Sequence, residues 1–296
     1  MELTQKQFDI LAALATADAV MTQRGIAEAS GHSLGTVNKI YNGLLKDGLI
    51  ADGRITEAGL AALEPFRVRR AIFLAAGFGS RMVPITFNTP KPLVRVRGRR
   101  LIDGLIDACL AADIEEIYIV RGYLAEQFDQ LLYKYPMIKF IDNPLYNEAN
   151  NISSAAAVKD LISNAYVLEA DLYLTNPDII KKYHYRSNFL AIKKDRTDDW
   201  CFDVRDGVIV REKVGGLDTW QMIGISYWNR KDGAQLALDI PEAFTMPGGK
   251  EYYWEQVPLK VFKSRYRVAV RECCDDDIVE IDTFNELKQL DPTYDV

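Results

Sequence analysis

Residues 74–94 read Leu-Ala-Ala-Gly-Phe-Gly-Ser-Arg-Met-Val-Pro-Ile-Thr-Phe-Asn-Thr-Pro-Lys-Pro-Leu-Val. They continue the apolar run Ala71-Ile72-Phe73-Leu74, which reads as a buried strand. Ala75, Ala76, Gly77 and Gly79 leave the backbone bare, so its N–H groups can approach a polyphosphate closely. Arg81 adds a forked cation and Lys91 a point charge, both suited to phosphate oxygens. The run lacks the Gly-Lys-Ser/Thr ending of a Walker A loop and the glycine spacing of a dinucleotide fingerprint. A glycine-rich turn after a strand is weak evidence by itself. Arg81 and Pro90-Lys91-Pro92 behind it make a purely structural turn the poorer account.

Outward from this run, the chain from about Arg70 alternates strand and helix. Strand-like runs are Ala71–Leu74, Glu116–Val120, Lys139–Asp142, Tyr166–Leu168, Phe189–Ile192 and Val208–Val210, with helix-like stretches such as Leu101–Ala112 and Leu124–Tyr133 between them. That alternation predicts an α/β domain over residues 70–296, with a mostly parallel sheet covered on both faces. Residues 1–66 have a different texture. Phe8, Leu11, Leu14 and Val20 suggest a first helix, and Ile26 and Ala29 a second. A third runs from Ser33 to Asp47 with Val37, Ile40, Leu44 and Leu45 inside and Ser33 as its cap. Gly48-Leu49-Ile50 and Asp52-Gly53-Arg54-Ile55 read as a short hairpin, and Thr56 to Leu63 as a closing helix. The segment resembles a winged helix-turn-helix module.

Such a module implies DNA binding, but its charge argues otherwise. Five basic residues (Lys6, Arg24, Lys39, Lys46, Arg54) stand against eight acids over residues 1–66, leaving it three charges negative. DNA affinity rests largely on neutralising phosphates. The third helix offers only Lys39, Lys46, Asn38 and Asn42, with Arg67, Arg69 and Arg70 just beyond. Dimerisation, packing or regulation is the stronger expectation, and a homodimer stays open.

The 296 residues can hold one α/β domain and one small module. At 48% hydrophobic and 26% charged, the composition is that of an ordinary globular protein. No apolar stretch approaches the ~20 residues of a membrane span, and Met1-Glu2-Leu3-Thr4-Gln5-Lys6 has no signal-peptide pattern. Cys109, Cys201, Cys273 and Cys274 have neither zinc spacing nor a disulfide framework, which fits reduced thiols in a cytoplasm. The net charge of −6 disfavours bulk nucleic-acid binding. With only His32 and His184, both read as turn or surface residues, histidine chemistry is disfavoured.

The 74–94 pattern, L-A-A-G-x-G-x-R followed by P-K, resembles the signature of nucleotidyltransferases that activate small phosphorylated molecules with an NTP. The resemblance implies a Rossmann-like domain with a mostly parallel mixed sheet. Its chemistry needs alignment of an in-line attack on the α-phosphorus and neutralisation of the charge that accumulates, by cations and a divalent metal. Arg81 and Lys91 fit the first need. For the metal, Asp171 follows the strand Tyr166-Val167-Leu168, and Asp282 follows Val279-Glu280-Ile281. Either could instead cap a following helix; the loop signature favours a metal, Mg²⁺.

Val120-Arg121-Gly122-Tyr123, Asn150-Asn151-Ile152-Ser153-Ser154, Glu169-Ala170-Asp171, Tyr253-Trp254-Glu255 and Glu280-Ile281-Asp282 occur in the order seen in bacterial CTP:phosphocholine cytidylyltransferases. This narrower resemblance spans residues 70–290. It implies that Ala75, Ala76, Gly77 and Gly79 with Gly122 and Tyr123 hold cytosine and ribose. Asn150, Asn151 and Ser154 complete the CTP pocket, and Asp171 and Asp282 hold Mg²⁺. A choline head group is best met by aromatic faces with a nearby carboxylate, so Tyr173, Trp200, Tyr253, Trp254 and Glu255 are the expected acceptor residues. Trp228 reads as core. A primary ammonium, as in phosphoethanolamine or 2-aminoethylphosphonate, would instead want carboxylates such as Glu255, Asp198 and Asp199. The residues do not separate these acceptors; phosphocholine stands first because the resemblance implies it. Behind them stand a sugar-1-phosphate nucleotidyltransferase and a regulator that senses CTP or a CDP-compound.

Overall fold

Four hydroxyl side chains set where the helices of the N-terminal segment begin. Thr4 caps α1 (Gln5–Ala15) in a capping box with Gln7. Thr22 caps α2 (Gln23–Ser30), which ends on Gly31 in the left-handed region at φ 69°. Ser33 caps α3 (Leu34–Lys46) and Thr56 caps α4 (Glu57–Leu63). Between α3 and α4, β1 (Ile50–Ala51) pairs antiparallel with β2 (Arg54–Ile55) across Asp52-Gly53. Both turn residues have positive φ, 50° and 73°, as a two-residue hairpin turn requires.

The structure, a computed structural model, describes residues 3–294. These separate into two compact units, one ending at Arg67 but including Tyr183–Tyr185, the other beginning at Val68. Residues 1–2 and 295–296, the extreme ends of the two expected domains, lie outside the described residues. The first unit closes over Phe8, Leu11, Leu14, Ile26, Val37, Leu44 and Leu63. Tyr185 stacks on Phe66 at 5.4 Å, although it comes from late in the chain. Three apolar assignments fail here. Val20 lies beyond the end of α1 and is 53% exposed; Leu45 is also exposed. Ala29 faces solvent, and Ala27 packs inward in its place. On α3 the inner position expected of Leu45 falls to Tyr41, four residues after Val37.

In the second unit β3 (Arg70–Ala75) runs down the middle of the sheet. A small hairpin of β4 (Arg95–Val96) and β5 (Arg99–Arg100) precedes α5 (Leu101–Ala111), which leads to β6 (Glu116–Arg121) and β7 (Lys139–Asp142). After α6 (Ile152–Ala157) the chain returns to β8 (Ala165–Glu169), and a short β9 (Leu172–Leu174) follows. A long hairpin of β10 (Asn188–Arg205) and β11 (Val208–Trp228) comes next, then α7 (Arg230–Thr245), β12 (Ala269–Cys273), β13 (Ile278–Glu280) and α8 (Phe284–Leu290). The seven-stranded sheet has the order β10-β12-β11-β8-β3-β6-β7, with β10 also paired to β11. β3 is parallel to both β6 and β8, whereas β11 is antiparallel to β8. It is the expected Rossmann-like, mostly parallel mixed sheet.

Its strands are apolar on both faces, as covered parallel strands must be. Phe73, Ile119 and Leu168 meet α5 on one side, while Ile72, Val120 and Val167 meet α6 and α7 on the other. Each such fully buried side chain contributes roughly 1.5–3 kcal/mol. Trp228 is core, fully buried. From β3 the chain builds outward through β6 and β7, then crosses back to β8 on the opposite side. The crevice beyond the ends of β3 and β8 is therefore a topological switch point, where α/β sheets take ligands.

Other expectations need correcting. Leu124–Tyr133 is a 3₁₀ run, Ala125–Tyr133, not an α-helix. Phe189–Ile192 and Val208–Val210 are only parts of the long hairpin, whose polar alternation hides its extent. His184 is buried, not a surface residue. Arg70 is engaged within the second unit by Glu116 and the Leu161 carbonyl. Among the described residues no helix is long and apolar enough to cross a membrane.

Candidate active site

The backbone after β3 must turn sharply to bring Lys91 back beneath it. Gly79 makes that turn with φ 62°; a Cβ there would sit 3.0 Å from Thr86 Cγ2 and 3.1 Å from Lys91 Cβ. The Thr86 hydroxyl donates to the Gly79 carbonyl at 2.8 Å and closes the loop. Lys91 ends up 8% exposed. Its Nζ donates to Asp171 Oδ2 at 2.7 Å and to Asp282 Oδ1 at 3.0 Å. Arg81, far more exposed, donates to the same Asp282 oxygen at 2.7 Å.

Two distant stretches supply these acids through one short ladder. β13 pairs antiparallel with β9, placing Glu280 opposite Leu172. Asp171 precedes β9 and Asp282 follows β13, so both emerge at the same end. Neither is a helix cap. Thr283, not Asp282, caps α8, in a capping box with Glu286, and no helix directly follows Asp171.

Negative charge is concentrated here beyond the two expected aspartates. Carboxylate oxygens of Glu169, Asp171 and Glu280 lie within 4.8 Å of one another. Burial first, and then Asp171, Glu280 and Glu255, raise the Glu169 carboxyl well above its ordinary value. Burial with Asp171 and Asp282 pushes Glu280 up to about 8. Burial alone would lower Lys91, but Asp171 and Asp282 outweigh it and hold the ammonium above the usual lysine value. Asp171 Oδ1 is buried with no hydrogen-bond partner. A buried, unsatisfied oxygen among hard carboxylates is a suitable environment for a divalent cation.

A cavity of about 320 Å³ opens on this cluster. Of the residues expected from sequence, Ala75, Ala76, Gly77, Gly79, Arg81, Lys91, Asn150, Asn151, Ser154, Asp171 and Asp282 all line it. Gly122 and Tyr123 do not. Tyr123 buttresses the loop from behind, its N–H donating to the Ala76 carbonyl and its hydroxyl to the Phe87 carbonyl. Asn151 is tied to a buried residue, its Oδ1 accepting from the Trp254 backbone N–H at 2.7 Å. Asn143, Tyr146, Ser153 and Glu169 line the cavity without having been singled out. Asn143 and Tyr146 follow an unremarkable strand and carry no motif; Glu169 stood two residues from Asp171 and was passed over for it.

The five expected acceptor residues are dispersed. Tyr173 packs on the apolar cluster of Met82, Val94 and Ile281. Trp254 is 3% exposed, stacked on Phe189 at 6.1 Å and edge-on to Trp228 at 5.8 Å. It is a core side chain, not an open cage wall. Trp200 and Tyr253 stay partly exposed and form a T-shaped pair at 5.5 Å. Glu255 is buried with Oε2 unpartnered. Burial, and then the Glu212 carboxylate, push it up to about 8. Glu255, Glu169, Gly224 and Trp254 share a second cavity of only about 10 Å³, and Glu169 lines both cavities.

Comparison with known proteins shows the family to which this fold belongs. The family model for the MobA-like NTP transferase domain matches residues 71–221, and one for the MarR family matches residues 2–55. A 2-aminoethylphosphonate cytidylyltransferase of Lancefieldella rimae is 36% identical over 76% of this chain and 92% of its own. A choline-phosphate cytidylyltransferase of Streptococcus pneumoniae is 32% identical over 75% of this chain and 96% of its own. The solved structure of a CTP:phosphocholine cytidylyltransferase from Streptococcus pneumoniae superimposes with a TM-score of 0.70 at 31% identity, covering 77% of this chain and 99% of that one.

Proposed function

The chain belongs to the MobA-like NTP transferase family, and from that premise we propose that it transfers CMP from CTP to 2-aminoethylphosphonate and releases pyrophosphate. The cytidylyltransferase relatives support the nucleotide and the reaction. One observation carries the choice of acceptor. Glu255 keeps a buried, unpartnered carboxylate oxygen beside Glu169, in a space of about 10 Å³. That is the room a single water needs. A primary ammonium has N–H bonds for such oxygens and comes near fitting; a trimethylammonium has neither donors nor the size. With Trp254 in the core and Tyr173 packed on a separate apolar cluster, the aromatic cage that would favour choline is reduced to Trp200 and Tyr253. That pair is the ground for phosphocholine as the second reading, since a T-shaped aromatic edge can still hold a quaternary cation.

In the proposed reaction an acceptor phosphonate oxygen attacks the α-phosphorus in line. The bond to the bridging oxygen breaks, and pyrophosphate leaves with the electron pair. Lys91, held charged by Asp171 and Asp282, supplies positive charge to the phosphoryl oxygens as negative charge builds, with Arg81 beside it at the rim. Bare backbone from Ala75 to Gly79 holds the nucleotide close. The carboxylates fit Mg²⁺: Asp171 and Asp282 would hold it, with the protonated Glu169 and Glu280 within 4.8 Å of Asp171 able to ionise toward a bound cation, and the orphaned Asp171 Oδ1 supports that fit. When bound, the metal supplies further neutralisation of the triphosphate.

On this reading residues 1–66 and 70–296 are separate functional domains in a cytoplasmic enzyme. Four unpaired cysteines support that compartment. The MarR-like module is proposed as a regulatory or dimerising element, with DNA as its weaker partner.

The acceptor is tested by Glu255→Gln. We expect kcat/KM for 2-aminoethylphosphonate to fall by roughly tenfold or more, because a bound ammonium draws Glu255 into its ionised form and Gln has no charge to offer, with phosphocholine turnover unchanged. An equal fall for both acceptors, or none, would remove the case for a primary amine.

A further inference from the structure

Tyr146 is the only aromatic side chain lining the large cavity among the described residues. Its position is fixed from two sides. At Gly122 a Cβ would stand 2.6 Å from Tyr146 Cγ, so only the bare backbone there allows the ring to lie where it does. Phe78, from the loop after β3, packs on it with ring centroids 5.4 Å apart and an interplanar angle of 51°. The turn that carries Tyr146 is pinned by Asn143, whose Oδ1 accepts the Leu145 N–H at 2.9 Å. Asn143 spends its amide donors on Ser153 and Ser154, at 2.9 and 3.0 Å, and so holds the turn instead of reaching into the cavity. Tyr146 is left half-buried, and no described residue hydrogen-bonds its hydroxyl.

The cavity has two chemistries. Lys91, Arg81 and the carboxylate cluster suit phosphates and a cation; an ordered, half-exposed ring suits the flat face of a base. We propose that Tyr146 is the platform on which the cytosine of CTP stacks, and that it sets affinity for the nucleoside part of the substrate. The assignment rests on the CTP reading above and is independent of which acceptor is used. Tyr146 acts in binding, not in the transfer step. Gly122 is a positioning residue for it, which gives that glycine a role although it does not line the cavity.

Calorimetric titration with CTP and, separately, with inorganic tripolyphosphate tests this. Base–aromatic stacking contributes roughly 1–3 kcal/mol, so Tyr146→Ala should weaken CTP by about tenfold or more and leave tripolyphosphate unchanged. Tyr146→Leu, which keeps apolar bulk against Gly122 and Phe78, should show the same loss with an unaltered melting temperature. Tyr146→Phe should stay within about threefold of the native protein. In turnover, KM for CTP should rise in the first two variants while kcat holds. Equal CTP affinity in Tyr146→Leu, or a parallel loss of tripolyphosphate, would overturn the assignment. Tripolyphosphate binding with no CTP binding by the native protein would overturn the CTP reading itself.

Discussion

Replacing Glu255 with Gln should stabilise the protein at alkaline pH and change little at pH 5. In the folded chain this carboxyl is held at about 8, against an ordinary 4.5, by burial and by Glu212. Because the folded state binds the proton more tightly, the stability contributed by neutral Glu255 is complete below about pH 4.5. It is lost progressively as pH rises through about 8. The gap corresponds to an upper limit of roughly 5 kcal/mol at about 1.4 kcal/mol per pH unit. Glu255 is 3% exposed, so little of this is screened by solvent. Glu212 shares the titration, and local relaxation lowers the figure, so a difference of about 2–4 kcal/mol is expected at pH 9. Urea denaturation of both proteins at pH 5, 7 and 9, without ligands, measures it. Glu280 titrates high in both proteins and cancels, whereas Glu169, raised in part by Glu255, shares the difference with it. Native and Glu255→Gln curves that stay parallel from pH 5 to 9 would refute the argument that this oxygen is buried and uncompensated.

Lys91→Ala removes the cation shared by Asp171 and Asp282; we expect kcat to fall by roughly 10²–10³-fold or more in a pyrophosphate-release assay, with the circular-dichroism spectrum unchanged. Gly79→Ala forces a side chain into φ 62° against Thr86 and Lys91; thermal denaturation should show a cost of about 1–2 kcal/mol, and turnover should fall as Lys91 is displaced. Duplex DNA should not shift with the protein in gel electrophoresis at ~0.15 M salt, because the N-terminal module carries three net negative charges.

The loop from Leu74 to Val94 was legible because phosphate chemistry constrains each position: bare backbone, a turn glycine and two cations. It pointed to the fold family and supplies nearly half of the cavity wall. Asp171 and Asp282 could be proposed as partners from sequence, but their meeting depends on the β9–β13 ladder, which joins segments about a hundred residues apart. Tyr146 and Asn143 escaped notice because the space at Gly122 that seats the ring exists only after folding. Trp254 misled for the converse reason. An aromatic next to an acid reads as a cation cage, yet Trp254 stacks on Phe189 and meets Trp228 edge-on, so its ring is packed in the core. Leu45 shows the limit of helical periodicity: an apolar residue one position from the inner stripe faced solvent, and Tyr41 filled the core in its place.

Pyrophosphate release from CTP and Mg²⁺, followed in parallel with 2-aminoethylphosphonate, phosphoethanolamine and phosphocholine, tests the central claim most directly. The account predicts transfer to 2-aminoethylphosphonate with kcat/KM at least about tenfold above phosphocholine, the difference a charged hydrogen bond makes. Preferred turnover of phosphocholine, or no release with any of the three while CTP still binds, would contradict it.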